Sequence, residues 1–139
     1  MSDSQKFPVA AHALAYLAHK GADSAAGAVS SAELAASMPT NPVVVRRVTS
    51  MLAKAGLIAT RSGASGGAWL LRPADTISLD QVLRAVHGCA HLGRATKGAA
   101  GCPVGERIPK AVHAALDAAE LAAAERLSKI TVADLLTAA

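Results

Sequence analysis

Only three of the 139 residues are aromatic, one each of Phe, Tyr and Trp, and only two are cysteine. So few rings exclude a core built on bulky plates, although 52% of the chain is hydrophobic. Alanine supplies much of that fraction, so the core must form by close helix approach. Its high helix propensity leans the whole chain toward α. Two cysteines are too few for a secreted disulfide scaffold and make a reducing cytoplasm the default location. No apolar run approaches the roughly 20 residues that a membrane span needs. The opening Met1-Ser2-Asp3-Ser4-Gln5-Lys6 lacks the charged-then-apolar order of a signal peptide. Catalytic constellations are also missing: no nucleophile–base motif, no phosphate loop and no paired-carboxylate setting. A non-enzymatic protein of one domain plus an appendage is the expectation.

Charge is present but unevenly placed. The net charge is +4, and residues 30–72 hold Arg46, Arg47, Lys54, Arg61 and Arg72 against Glu33 alone. That segment carries the whole excess, and the remainder of the chain balances. Localised basicity is the footprint of a polyanion-binding face; solvated surface cations would be the plainer reading.

Within it, residues 40–58 read as a helix with both ends written in. Asn41 can cap the first turn, Pro42 suits the first helical position, and Gly56 can take the left-handed conformation that ends it. Val44, Val48, Met51, Leu52 and Ala55 fall on one face at helical spacing and are the expected inward side. Val43, Arg46, Arg47, Ser50 and Lys54 fall on the others.

Residues 8–20 form an earlier helix, with Val9, Ala13, Leu14, Leu17 and Ala18 inward and Gly21 ending it; residues 22–29 look like a loop. Ser30 and Glu33 are spaced as a capping box for a second helix containing Leu34, Ala35 and Met38, which stops at Pro39. Two short helices joined by a three- or four-residue turn make a helix-turn-helix. Residues 57–61 and 68–72 then alternate as strands around the glycine-rich turn 62–67, a β-hairpin. Helix-turn-helix followed by hairpin is the winged-helix arrangement, in which Arg61 and glycine-exposed backbone N–H groups can meet phosphates. Ser78 and Gln81 repeat the capping-box spacing before a helix with Leu79, Val82, Leu83 and Val86 on its apolar face. Residues 88–105 lack periodicity. From about residue 106 to 129, Ile108, Val112, Leu116, Ala119, Ala123 and Leu127 step close to a heptad, a seam suited to pairing with a second copy. Thr131 can cap a short last helix with Val132, Leu135 and Leu136.

These stretches in order (Ser31-Ala32-Glu33-Leu34-Ala35, Thr40 through Arg47, Leu52 through Leu57, Arg61 with Gly63, Gly66 and Gly67, Arg72-Pro73, Ile77-Ser78-Leu79, Cys102-Pro103-Val104-Gly105 and Thr131 through Leu136) resemble the IscR/NsrR-type winged-helix transcription regulators of bacteria. The similarity is to the YwnA-like branch, which lacks a full set of cluster cysteines. The resemblance implies a homodimer, paired through the long helix, that binds double-stranded DNA at a palindromic operator and usually represses. It implies DNA contacts from Asn41, Pro42, Val43, Val44, Arg46 and Arg47, extended on the same face to Ser50 and Lys54. The wing would add Arg61, Ser62, Gly63, Ser65 and Gly66. Many such regulators hold an iron–sulfur cluster through three cysteines. Here Cys102 matches the last of them and Cys89 falls earlier than the first, so a cluster would have to recruit a histidine such as His12 or a carboxylate. No cofactor is therefore expected. His87-Gly88-Cys89-Ala90-His91 has a composition zinc could use, and thiol sensing by Cys89 and Cys102 near Arg94, Lys97 or Arg107 is a further possibility.

The expectation is thus a mainly α protein with a small β-hairpin: a winged helix-turn-helix plus a long dimerisation helix. The segments are 1–87 for DNA binding, 88–105 as a sensor-type loop and 106–139 for dimerisation. A winged-helix adaptor binding protein or RNA is the alternative.

Overall fold

Helices and a small hairpin close around a core of Ala, Val and Leu because each helix offers one apolar stripe and none can bury it alone. The computed structural model describes residues 5–88, 92–94 and 96–138. Cys89 and His91, and with them the His-Gly-Cys-Ala-His run as a unit, lie outside the described residues.

Helix α1 (Lys6–His19) buries Ala10, Ala13, Leu14 and Leu17. It ends where expected: Gly21 has φ +67°, the Gly21 N–H reaches the Ala18 carbonyl and the Ala22 N–H reaches Leu17. Helix α2 (Ser31–Ser37) presents Leu34 and Ala35 to the same core. Its expected capping box is half made. Ser30 Oγ accepts from the Glu33 N–H at 3.1 Å. The Glu33 carboxylate turns away to accept from Tyr16 Oη at 2.9 Å and pairs with Lys20 Nζ at 3.3 Å. That choice ties α2 to the end of α1, and the 3.0 Å contact of His12 Nε2 with Ser37 Oγ ties it to the middle of that helix.

Helix α3 (Pro42–Lys54) follows, then the antiparallel strands β1 (Ile58–Arg61) and β2 (Gly67–Leu70), in register Ile58 with Leu70 and Arg61 with Gly67. The loop-like stretch before α2 contributes to this sheet. Val29 forms an antiparallel bridge with Ala68, both N–H···O distances being 2.9 Å. A single bridge leaves no period-2 pattern in the sequence, which is why it cannot be read there.

Helix α4 (Leu79–His87) carries a complete capping box, Ser78 with Gln81, and stops at Gly88 with φ +79°. It buries Leu79, Val82 and Val86, whereas Leu83 is half-buried. Helix α5 (Pro103–Ser128) is 26 residues long and starts three residues before the expected point. Cys102 is its cap, with Sγ accepting from the Gly105 N–H at 3.4 Å, and Pro103 takes the first position. Pro109 obscures that start in the sequence, because it looks like a first-turn proline and in fact lies a full turn further inside. Helix α6 (Val132–Thr137) closes the chain with a second complete box, Thr131 with Asp134. The two boxed starts lie side by side: the Leu79 N–H reaches the Ile130 carbonyl at 2.8 Å and the Val132 N–H reaches Ile77 at 2.9 Å. Val132 is fully buried, so α6 anchors the end of α5 to the core. Among the described residues no helix is long and apolar enough to cross a membrane.

The hydrogen bond from Tyr16, followed by Lys20, holds the Glu33 carboxyl below its ordinary pKa. Its contribution to stability is therefore complete above the unfolded glutamate value, ~4.3, and is lost as pH falls through the lowered folded value. Tyr16→Phe should lower the melting temperature at pH 7, and the gap from wild type should close in acid below that folded value. Thermal melts from pH 7 to pH 2 check this.

Candidate nucleic-acid interface

The phase of α3 decides which side chains face outward. Its fully buried residues are Val45, Val48 and Leu52, joined by buried Thr49. Val44 is half-buried and Ala55 exposed, so the inward face is rotated from the expected stripe. Three consecutive valines give no internal clue to phase, and Thr49 looks too polar to bury. Its Oγ1 donates to the Arg46 carbonyl at 3.1 Å, which removes most of that cost.

Both ends are built as the sequence indicates. Asn41 Oδ1 accepts from the Val43 N–H at 2.9 Å, and Pro42 starts the helix. At the other end Gly56, with φ +76°, sends its N–H to Ala53, and the Leu57 N–H returns to Leu52. This paired closure is the Schellman arrangement. It also turns the chain directly into β1, so the wing is positioned by the end of α3.

With the inner face fixed, Val43, Arg46, Arg47, Ser50 and Lys54 are all exposed. Among the described residues no hydrogen bond or ion pair engages the side chains of Arg46, Arg47 or Lys54. Glu33, the only acid in this part of the chain, is already held by Tyr16 and Lys20. The cations on α3 therefore face solvent without a local counter-charge.

A groove of about 730 Å³ separates α3 from the wing, with Arg46, Ser50 and Lys54 on one wall and Arg61, Ser62 and Gly63 on the other. Ser30 and Thr60, which the sequence does not mark as site residues, also border it. The Ser30 position as cap of α2 is the available signal. The wing turn is closed by the Gly66 N–H to the Gly63 carbonyl at 3.0 Å, and Arg61 Nη2 crosses it to donate to the Ser65 carbonyl at 3.2 Å. Gly66 lies so close to the Arg61 carbonyl that a Cβ would overlap it, and Gly67 stands in the same relation to the Val29 carbonyl. Arg61, Ser62, Gly63 and Ser65 are exposed at the tip. Cations on both walls thus flank a groove with hydroxyls at its rim, an arrangement that suits a phosphate backbone running beside a helix laid in a groove.

The long helix lies apart from this face. No residue of α5 is buried. Leu116, Ala123 and Leu127 are half-buried, while Ile108, Val112 and Ala119 are exposed, Ile108 by 53% and Val112 by 43%. Cys102 is a free, exposed thiol at the head of α5. His19 and His113 are exposed, His113 pairing with Asp117 at 3.3 Å.

Comparison with known proteins places this geometry. A family model described as Rrf2, iron-dependent transcriptional regulator, matches residues 3–138. The HTH-type transcriptional regulator YwnA of Bacillus subtilis (strain 168) is 36% identical over 108 residues, 77% of this chain and 80% of that one. A solved structure described as a transcriptional regulator from Lactobacillus plantarum superposes with TM-score 0.78 and 26% identity, over 95% of this chain and 87% of that one. IscR of T. potens superposes with TM-score 0.65 and 26% identity, over 95% and 83%. The iron in the family's description can be tested against this chain's donors. A cluster needs four ligands, as a rule thiolates, and the chain has two cysteines. Among the described residues no group of three or more His, Cys, Asp or Glu comes together. Two thiols fall short of a cluster held by cysteines alone.

Proposed function

The chain belongs to the Rrf2 family of DNA-binding transcriptional regulators, and from that premise we propose that it acts as a homodimer on a palindromic operator and represses by occupying it. The observation that carries the DNA-facing half is the set of cations on both walls of the α3–wing groove, those on α3 having no partner among the described residues. Phosphates pair with such groups by releasing condensed counterions, which gives affinity without sequence information. Residues at the front of α3 then reach the base edges. A bidentate arginine–guanine contact there discriminates by roughly 1–3 kcal/mol. The same cations, unpaired among the described residues, suit a polyanion better than an uncharged protein surface, which would bury them without partners.

The dimer reading rests on α5. At 1.5 Å per residue, 26 residues span roughly 39 Å, and the helix meets the rest of its own chain mainly through α4. Its Ile108, Val112 and Ala119 side stays in water in a single copy. A second copy laid along that side would bury it and place two winged helices facing the same way, as a two-fold operator requires. Occupancy of promoter DNA by such a dimer excludes other proteins from it, hence repression.

Two measurements follow. Affinity for an operator duplex should fall steeply with salt, with a log–log slope near −0.9 per phosphate contacted. Arg46→Ala with Arg47→Ala should weaken binding and flatten that slope while leaving the melting temperature unchanged; full affinity in the folded double variant would sink the recognition-helix assignment. Sedimentation should show a dimer, and Ile108→Glu with Ala119→Glu should give folded monomers. An unchanged dimer would move the interface off α5.

A further inference from the structure

Val43 differs in chemistry from everything around it on the outer face of α3. It is 48% exposed and the only large hydrophobic of that helix so exposed. It lies in a shallow cleft together with Arg46, Arg47 and Ser50. Ser50, seven residues on, continues the same line along the helix. Arg46 stands on the flank toward the wing, where it also borders the groove, and Arg47 stands on the opposite flank. Val43 is therefore on the midline of the reading face, one residue into the first turn after Pro42.

Its position is fixed more firmly than that of the long cations beside it. The Asn41 side chain holds its N–H and the proline before it fixes the backbone. A valine in a helix has one strongly preferred rotamer, so its methyl groups point in one direction before any ligand arrives. The fold gains little from it, since valine is a poorer helix former than alanine and this one buries only about half its surface.

When a helix lies in the major groove, its first turn reaches the base edges. Valine can neither donate nor accept a hydrogen bond, and the one apolar group presented in that groove is the C5-methyl of thymine. We infer that Val43 packs against the C5-methyl of a thymine in each half-site, which makes it a specificity-determining residue. This rests on the operator-binding reading above, which leaves open what each residue reads.

The test uses duplexes selected from a random library by the full-length wild-type protein, with each dT replaced in turn by dU, a change that removes only the methyl. One symmetry-related dT pair should matter, its replacement weakening binding roughly fourfold per half-site, the equivalent of ~0.8 kcal/mol for one buried methyl-sized group. Val43→Ala should keep the wild-type melting temperature and salt slope yet bind the dT and dU duplexes alike. Wild-type affinity indifferent to every dT→dU change would overturn the inference with operator binding intact. Retention of the full dU penalty by Val43→Ala would overturn it as well. A library that yields no salt-sensitive duplex at all would instead remove the operator-binding reading, and this inference with it.

Discussion

Burial of one face of α3 is the constraint on which the functional surface depends. Val45, Val48 and Leu52 are fully enclosed by α1, α2, α4 and β1. Rolling the helix by one residue would expose valine and bury arginine, and an unpaired buried guanidinium is far costlier than any surface contact can offset. The helix can lie down in one phase only. Arg46, Arg47, Ser50 and Lys54 are outward because Val45, Val48 and Leu52 are inward.

The rest of the surface is attached to that helix at its two ends. At the front, the Asn41 cap and Pro42 set where the first turn begins, and so where Val43 points. At the back, the Gly56 closure delivers the chain into β1 and places Arg61 across the groove from Arg46 and Lys54. Two glycines keep the wing where it is: Gly66 clears the Arg61 carbonyl and Gly67 clears Val29. The long helix is joined to the same core from the other side, through the adjoining capping boxes of α4 and α6 and the buried Val132. Helix α4 packs on both α3 and α5, so the two share one support.

Features stated by short-range chemistry are legible in the sequence. Asn41-Pro42, Gly56, Ser78 with Gln81 and the Thr131 cap are local devices, and the structure builds each of them. The wing hairpin and its glycine turn are equally local. What is not legible depends on partners distant in the chain. Glu33 has the right spacing for a capping box but finds Tyr16 and Lys20, which only the packing of α1 brings near. Val29 pairs with Ala68 across the sheet, a contact with no local pattern. The inward phase of α3 is ambiguous in sequence because Val43, Val44 and Val45 are chemically identical. Cys102 has the chemistry of a sensor or ligand, and in the fold it serves as the cap of α5. The cations of the interface stand out by composition alone, through their concentration in residues 30–72; Ser30 and Thr60, being uncharged, leave no such trace.

One continuous surface, the outer face of α3 with the tip of the wing, is the proposed DNA-receiving face. Backbone amide shifts of the isotope-labelled protein, followed during titration with a duplex it binds, test this most directly. Perturbations should concentrate at 41–54 and 61–66, with the exposed middle of α5 unaffected. Perturbations confined to α5 or α4, with α3 and the wing unchanged, would contradict it.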